Sequence, residues 1–467
     1  MEEKERFDLI VIGSGPGGYV AAIRAAQLGM KTACIEKHSR LGGVCLNVGC
    51  IPSKALLDSS EYFYMAKKRF PEHGVIIGDI SVNLETMMKR KEKVVKNLTD
   101  GIQGLFKSNK INGIHGVARL AGKNRVEVKK SSDETETEIY EADAIILATG
   151  SEPVEIPDFP FDGKKIISST EALSLSSVPE HLGIVGGGYI GLELGSVWKR
   201  LGSEVTVIEM LPGIASTMDG QMARRLHKIL SNQGFNFLLG TRVAEARVVE
   251  DSVEVHVEKK EGKNDKLTFD HLLVSVGRQP LTRELGLEDL GIKTHEKFGY
   301  VEVNEKYQTS VPSIYAVGDI IPGPMLAHKA SAEGIAAVEC IAGLAGEVNY
   351  DAIPFITYTW PEAASVGLTE EQAKERGISY SAGTYPFTGN GRARCLGETE
   401  GFVKILAHKK TDRILGVHIL GPRASDMIAE CVLAVEFGAS AEDLSRTVHG
   451  HPTLSEAIYE AAMILKH

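Results

Sequence analysis

A chain of 467 residues is long enough for two to four domains, and its 43% hydrophobic and 24% charged residues are the composition of a globular enzyme. A formal net charge of −10 argues against a general attraction to nucleic acid or to an anionic membrane surface, and no apolar run approaches the ~20 residues of a membrane span. Six cysteines are too few for a disulfide scaffold. Residues 1–6 are polar, with three Glu, and lack the features of a signal or transit peptide, so a cytoplasmic location is expected.

The first element is a short apolar strand at 7–12, followed by Gly13-Ser14-Gly15-Pro16-Gly17-Gly18 and an Ala-rich helical stretch at 19–28. Gly29 stops the helix, and a second strand at 32–35 ends at Glu36. A lone Gly-x-Gly-x-x-Gly is weak evidence. Between strand and helix, however, Gly13, Gly15 and Gly18 permit a tight turn and a close backbone approach to pyrophosphate, with the helix N-terminus supplying free N–H groups. Glu36 is placed to accept hydrogen bonds from ribose hydroxyls.

Next come Gly42-Gly43-Val44-Cys45-Leu46-Asn47-Val48-Gly49-Cys50. The pair Cys45 and Cys50 is open to three readings: a metal half-site, structural thiols or a redox disulfide. Zinc needs two further ligands, and no second Cys/His cluster of suitable spacing appears. Cys50 precedes a helix start with Pro52 in the first turn, so a thiolate there gains from the helix dipole and from Lys54, and redox use is favoured. The other cysteines, Cys34, Cys340, Cys395 and Cys431, read as small buried hydrophobes.

Residues 125–140 read as an exposed β-meander feeding an apolar strand at 144–147 and then Ala148-Thr149-Gly150. The strand–turn–helix–strand unit then recurs: a strand at 182–185, Gly186-Gly187-Gly188-Tyr189-Ile190-Gly191, a helix to Leu201, a stop at Gly202 and a strand at 205–208 ending at Glu209. Two such units mean two bound dinucleotides. Glu209 favours the free 2′-hydroxyl of NAD over the 2′-phosphate of NADP, and residues 208–216 carry no arginine for that phosphate.

A strand at 272–276 leads to Gly277-Arg278, and the segment 313–319 to a long Ala-rich helix at 327–342. From Tyr350 the pattern becomes strands (357–358, 402–406, 414–419) and then helices (425–437, 454–465), an α+β domain. Its closing motif, His449-Gly450-His451-Pro452-Thr453-Leu454-Ser455-Glu456, has two balanced readings. Thr453 and Glu456 fit a capping box. Equally, His451 can be a general base whose charged form Glu456 supports.

These motifs in this order, above all 42–54, 315–319 and 451–457, resemble the pyridine nucleotide–disulfide oxidoreductases over essentially the whole chain, and most nearly their lipoamide-reoxidising members. The resemblance implies two Rossmann-like domains, for FAD and NAD, plus an α+β dimerisation domain. The expected segments are 1–150 and 278–346 for FAD, 151–277 for NAD and 347–467 for the interface.

Beside the first loop and Glu36, it places Gly43, Val44, Cys45, Lys54, Ala118, Ala148, Thr149, Gly150, Asp319 and the run Met325-Leu326-Ala327-His328 along FAD. The second loop (Gly186, Gly188, Tyr189, Ile190, Gly191), with Glu193, Glu209, Val243 and Gly277, is placed along NAD. Cys45 is the implied outer thiol that meets substrate, and Cys50 the inner thiol facing the flavin. Lys54 is implied to pair with Glu193, and His451 with Glu456 to come from the other subunit of a homodimer.

The implied reaction oxidises protein-bound dihydrolipoamide to lipoamide and reduces NAD, for 2-oxo acid dehydrogenase or glycine cleavage complexes. The implied partners are lipoyl domains or a lipoyl carrier protein and the peripheral subunit-binding domain of an acyltransferase core, with neither nucleic acid nor membrane. The alternative, an NADPH-dependent reductase of the glutathione reductase type, is opposed by Glu209 and the missing arginines. Val44 departs from the family's usual threonine and removes one hydroxyl near FAD. Leu281 and residues 389–392 also depart, none of them expected to touch the exchange chemistry.

Overall fold

The computed structural model describes residues 6–130, 137–259, 262 and 264–465. Contacts gather the chain into two units: residues 1–56, 85–154 and 277–348 form the first, and residues 57–84, 155–276 and 349–467 the second. Gly277 therefore travels with the first unit, and the segment from 349 onward shares a unit with 155–276.

The first unit is built on a seven-stranded sheet. Arg6–Ile12 lies parallel between Thr32–Glu36 and Thr137–Leu147, with Ile314–Ala316 parallel on the far side of the latter. Leu9, Ile10 and Val11 have no exposure, the continuous apolar run expected of a strand covered on both faces. Helix Pro16–Gln27 covers one face through Ala21, Ala22 and Ala25, and helix Ala327–Ile341 packs on it. That crossing is close because its residues are small: a Cβ on Gly334 would stand 2.4 Å from the carbonyl oxygen of Gly17.

The meander read at 125–140 is present on both sides of residues 131–136, but it is not exposed throughout. Arg125–Lys129 and the start of Thr137–Leu147 pair antiparallel as part of this sheet, and Val126 and Val128 are fully buried beneath them. Residues 131–136 lie outside the described residues. Sequence periodicity had not marked the 25-residue helix Leu84–Ser108, which buries Met87, Val95, Ile102 and Phe106 along one stripe.

The second unit holds a parallel five-stranded sheet in the order Phe235–Leu239, Glu204–Glu209, His181–Val185, His271–Val274, Ile166–Ile167. An antiparallel three-stranded sheet is inserted between its strands Phe235–Leu239 and His271–Val274. Its C-terminal part is an antiparallel sheet ordered Phe355–Thr357, Glu362–Gly367, Ile414–Gly421, Phe402–His408, Tyr380–Pro386, under helices Ala424–Glu436 and Glu456–Ile464. Among the described residues no helix is long and apolar enough to cross a membrane.

Candidate active site

The first loop turns at Gly13, whose φ of +100° is open to glycine and strained for other residues, and a Cβ there would lie 2.4 Å from the Ala148 carbonyl oxygen. A Cβ on Gly18 would lie 1.8 Å from the oxygen of Gly13. Gly15 differs: nothing stands within 4 Å of where its Cβ would be. The outer two glycines are thus demanded by the loop itself. The middle one keeps a cradle clear at the start of helix Pro16–Gln27, which has no side-chain cap. Its free N–H groups suit a pyrophosphate, so the residues fit a dinucleotide.

Glu36, buried at the strand end, braces this loop. Its Oε2 accepts from the N–H (3.0 Å) and hydroxyl (2.6 Å) of Ser14, and its Oε1 from the N–H of His38 (2.9 Å). The Ser14 hydroxyl also accepts from the N–H of Gly42 at 3.2 Å, which ties the loop to the cysteine segment.

Thr149 donates to the Leu281 carbonyl at 2.6 Å, and Asp319 receives the Ser151 hydroxyl at 2.5 Å. Beneath Asp319 lies a feature that sequence patterns did not reveal. Lys329 and Glu333, one turn apart and both fully buried, pair at 3.0 Å and clamp the two backbone groups of Gly318. Met325 and Leu326 lead into helix Ala327–Ile341, which also lacks a side-chain cap, and His328 on its first turn is exposed. Ala118 is buried in the sheet's core, and Val44 is 40% exposed.

Cys45 sits on the short helix Gly43–Val48 and Cys50 opens helix Cys50–Lys68, with only Gly49 between the helices. Asn47 holds the first helix to the loop, donating to the carbonyls of Leu41 (3.0 Å) and Gly43 (2.9 Å). Hydrogen bonding with Cys50 raises the pKa of the Cys45 thiol far above the ordinary range, and burial adds to it; the charge of Lys54 opposes the rise. Burial raises the Tyr19 hydroxyl pKa, and Cys45 contributes. Among the described residues no group of three or more His, Cys, Asp or Glu could hold a metal ion. The other cysteines divide: Cys34 and Cys431 are buried, Cys340 is half-buried, and Cys395, against expectation, is exposed on the helix Gly391–Leu396.

In the second unit the loop mechanics recur. Gly186 has φ +105°, its Cβ would lie 2.6 Å from the Ser275 carbonyl oxygen, and that of Gly191 would lie 2.6 Å from the Gly186 oxygen. Gly188 again has nothing within 4 Å, at the uncapped start of helix Tyr189–Leu201. Glu209 accepts from the N–H groups of Gly187 (2.6 Å) and Leu211 (2.7 Å). Ile190 is half-buried, Val243 lies in the core, and Glu193 is buried with its carboxylate accepting from the Tyr358 N–H at 2.9 Å.

At the C-terminal turn Glu456 meets both Thr453 and His451, but the helix begins at Glu456 itself with Ser455 at its N-cap, so Thr453 does not cap it. Oε2 of Glu456 accepts from the Thr453 N–H (2.8 Å), and its Oε1 meets Nδ1 of His451 at 2.8 Å. The Thr453 hydroxyl completes no box; it donates to the Gly450 carbonyl at 2.7 Å. Those two bonds to Glu456, the Thr453 N–H first, lower its carboxyl pKa. The His451–Pro452 peptide is cis, and the His451 ring is exposed.

Two further partners were not legible in the motif. His449 meets Glu430 at 2.6 Å, and buried Asn390, one of the family departures, donates to the Thr453 carbonyl at 3.0 Å. Asn390 thereby bonds to the turn that carries His451.

Residues 7–334 match the family described as pyridine nucleotide-disulphide oxidoreductase, and residues 353–462 match that family's dimerisation domain. The chain is 51% identical to mitochondrial dihydrolipoyl dehydrogenase 2 of Arabidopsis thaliana, over 98% of this chain and 90% of that one. It is also 51% identical to the mitochondrial dihydrolipoyl dehydrogenase of Mus musculus, over 97% and 89%. Among solved structures it resembles LpdA of Mycobacterium tuberculosis, with a TM-score of 0.90 and 27% identity across 97% of this chain and 99% of that one.

Proposed function

The chain belongs to the pyridine nucleotide-disulphide oxidoreductases and to their dihydrolipoyl dehydrogenase branch, which uses FAD and NAD to oxidise dihydrolipoamide through a redox disulfide, and from that membership we propose how its residues divide the work. Cys45 and Cys50 form the redox disulfide, and the observation that carries this is their hydrogen-bonded contact across Gly49, within the charge of Lys54.

One substrate sulfur, as thiolate, attacks Sγ of Cys45; the Cys45–Cys50 bond breaks and Cys50 leaves as thiolate. His451 of a second copy, oriented by its Glu456, takes the proton of the other substrate thiol, whose sulfur then attacks the mixed disulfide. The substrate departs as a cyclic disulfide, and Cys45 recovers a proton, which suits a thiol whose deprotonation burial and Cys50 disfavour. Two electrons now reside in the cysteine pair. FAD, which the first loop and Asp319 would hold, would supply the redox chemistry that passes them on to NAD, for which the second loop and Glu209 would be the site.

The same proposal pairs Lys54 with Glu193, assigns 1–150 and 278–346 to FAD and 151–277 to NAD, and makes 347–467 the interface of a homodimer. Leu433 and Phe437, 59% and 79% exposed at the end of helix Ala424–Glu436, support an apolar contact there. Lipoyl domains or carrier proteins are the proposed substrates and a subunit-binding domain the docking partner. The two dihydrolipoyl dehydrogenases named above are mitochondrial, and fractionation of the source cells tests a cytoplasmic against a mitochondrial location for this chain.

The central test is Cys50→Ser in the full chain. Dihydrolipoamide oxidation is expected to fall at least ~10³-fold while FAD stays bound. Anaerobic dihydrolipoamide is expected to raise a long-wavelength absorbance band in the wild type only, bleached by NAD. Near-normal turnover in the variant overturns the disulfide mechanism.

A further inference from the structure

Ser151–Pro153 and Arg278–Pro280 form a two-stranded antiparallel ribbon, with Ser151 opposite Pro280 and Glu152 opposite Gln279. The first strand lies just before the chain leaves the first unit after Val154, and the second begins just after it returns at Gly277. Backbone bonds close the ribbon at both ends, from Val154 N–H to the Gly277 carbonyl (3.1 Å) and from Leu281 N–H to the Gly150 carbonyl (2.9 Å).

Inside the ribbon, hydrogen-bond polarity is fully determined. Nε of Arg278 stands 2.7 Å from the Ser151 hydroxyl oxygen, and its Nη2 stands 2.6 Å from the Ser151 carbonyl. A guanidinium only donates, so the hydroxyl must accept from Nε. Its single hydrogen is then committed to Oδ2 of Asp319 at 2.5 Å. Ser151 is 4% exposed, which keeps water from competing for these bonds. Among the described residues no protein donor is recorded for Oδ1 of Asp319, while Lys329 and Glu333 fix the backbone at Gly318, whose φ is +79°.

We propose that Ser151 and Arg278 are positioning residues for FAD: the Arg278→Ser151→Asp319 relay sets the rotation of the Asp319 carboxylate and leaves Oδ1 to accept from a ribityl hydroxyl of the flavin. This rests on the assignment of Asp319 to the FAD site. Flavin retention thereby depends on the pairing of the two strands by which the chain leaves and re-enters the first unit. Glu152, in the same ribbon, provides the contrast. It accepts from Gln279 at 2.9 Å and Arg283 at 2.8 Å, and neither bond reaches Asp319.

The experiment measures FAD release from full-length holoenzyme, read as growth of free-flavin fluorescence after dilution, beside the melting temperature. Ser151→Ala is expected to release FAD at least ~10-fold faster, the scale of a buried acceptor losing its donor. Arg278→Lys, which keeps the charge but not the two-pronged donation, is expected to act in the same direction. Ser151→Thr keeps the hydroxyl and is expected to restore retention, and Glu152→Gln to stay within ~2-fold of wild type.

Release from Ser151→Ala within ~2-fold of wild type overturns the relay, as does equal acceleration in Glu152→Gln, which makes the ribbon's stability the cause. If Ser151→Ala fails to fold, Arg278→Lys carries the same decision. A wild-type protein that binds no FAD sinks the underlying assignment instead, and the two failures are thus distinguishable.

Discussion

The two glycine loops solve the same steric problem alike and then diverge in their surroundings. In each, the first glycine takes a left-handed φ, the third leaves no room for a Cβ, the middle one faces open space, and a strand-end Glu braces the backbone. Around Gly15 the packing closes in: Ser14 and Glu36 are buried, and a Cβ on Gly43 would meet the Cα of Gly15 at 2.6 Å. Around Gly188 it opens, with Tyr189, Met210, Leu211 and Val276 at 40%, 61%, 42% and 42% exposure. The loop selects a dinucleotide; its enclosure sets how long the dinucleotide stays. On the assignment proposed above, this enclosure suits the first loop to a cofactor that stays bound and the second to one that exchanges each turnover.

Valine exchange at the two middle glycines tests that contrast most severely. Gly15 and Gly188 have φ of −65° and −79°, which any L residue adopts, so the substitution strains neither loop and acts on the ligand. Gly15→Val is expected to weaken FAD binding at least ~1000-fold and yield colourless protein, since an enclosed site cannot shift its ligand aside. Gly188→Val is expected to remain yellow and to raise the KM for NAD by roughly 10- to 100-fold. A yellow Gly15→Val protein breaks the comparison.

The strand-end carboxylates give the next largest effect. The wild type is expected to favour NAD over NADP by at least ~100-fold in kcat/KM, because Glu209 would meet the 2′-phosphate with a charge of the same sign. Glu209→Val is expected to bring that ratio below ~10. An unchanged ratio in competing steady-state assays moves the selectivity elsewhere.

Much of this was legible in sequence where chemistry is local. A glycine loop, the acid at the next strand's end and a cysteine pair at a helix start all fall between Gly13 and Cys50. The structure has the loop between strand and helix and Cys50 opening its helix, while the short helix that carries Cys45 was not read. What escaped is held by distant partners. Ser151 and Arg278 lie 127 positions apart and Asn390 and Thr453 lie 63 apart, so no window of sequence shows their contacts. Lys329 and Glu333 do sit one turn apart, but that spacing usually marks a solvated pair, and only the packing reveals it as buried. Helix Leu84–Ser108 was masked because Lys and Glu crowd between its widely spaced apolar residues. In residues 125–140 the charged outer face concealed the buried valines of the inner one.

Buried charge separates the two units as well, and acid sharpens the difference. The first unit's Lys329–Glu333 pair is closed within one helix, whereas in the second Lys404 reaches from strand Phe402–His408 to Asp219 (2.8 Å), the cap of helix Gly220–Asn232, and to Glu370 (2.6 Å). The hydrogen bond from Lys404, then those from Lys374 and Tyr380, hold the Glu370 carboxyl down to about 2 against an ordinary 4.5. A carboxyl depressed on folding adds stability that is fully present above about 4.5 and drains away as pH falls towards about 2. Glu370→Gln is therefore expected to melt about 1–3 °C below wild type at neutral pH, a modest gap because the group is partly open to solvent. In thermal melts taken at successively lower pH the gap should narrow below about 4.5 and close only towards about pH 2, where protonation removes the same anion from the folded wild type. A gap that persists undiminished means that Glu370 acts through packing, and that Lys404 draws its compensation from Asp219 alone.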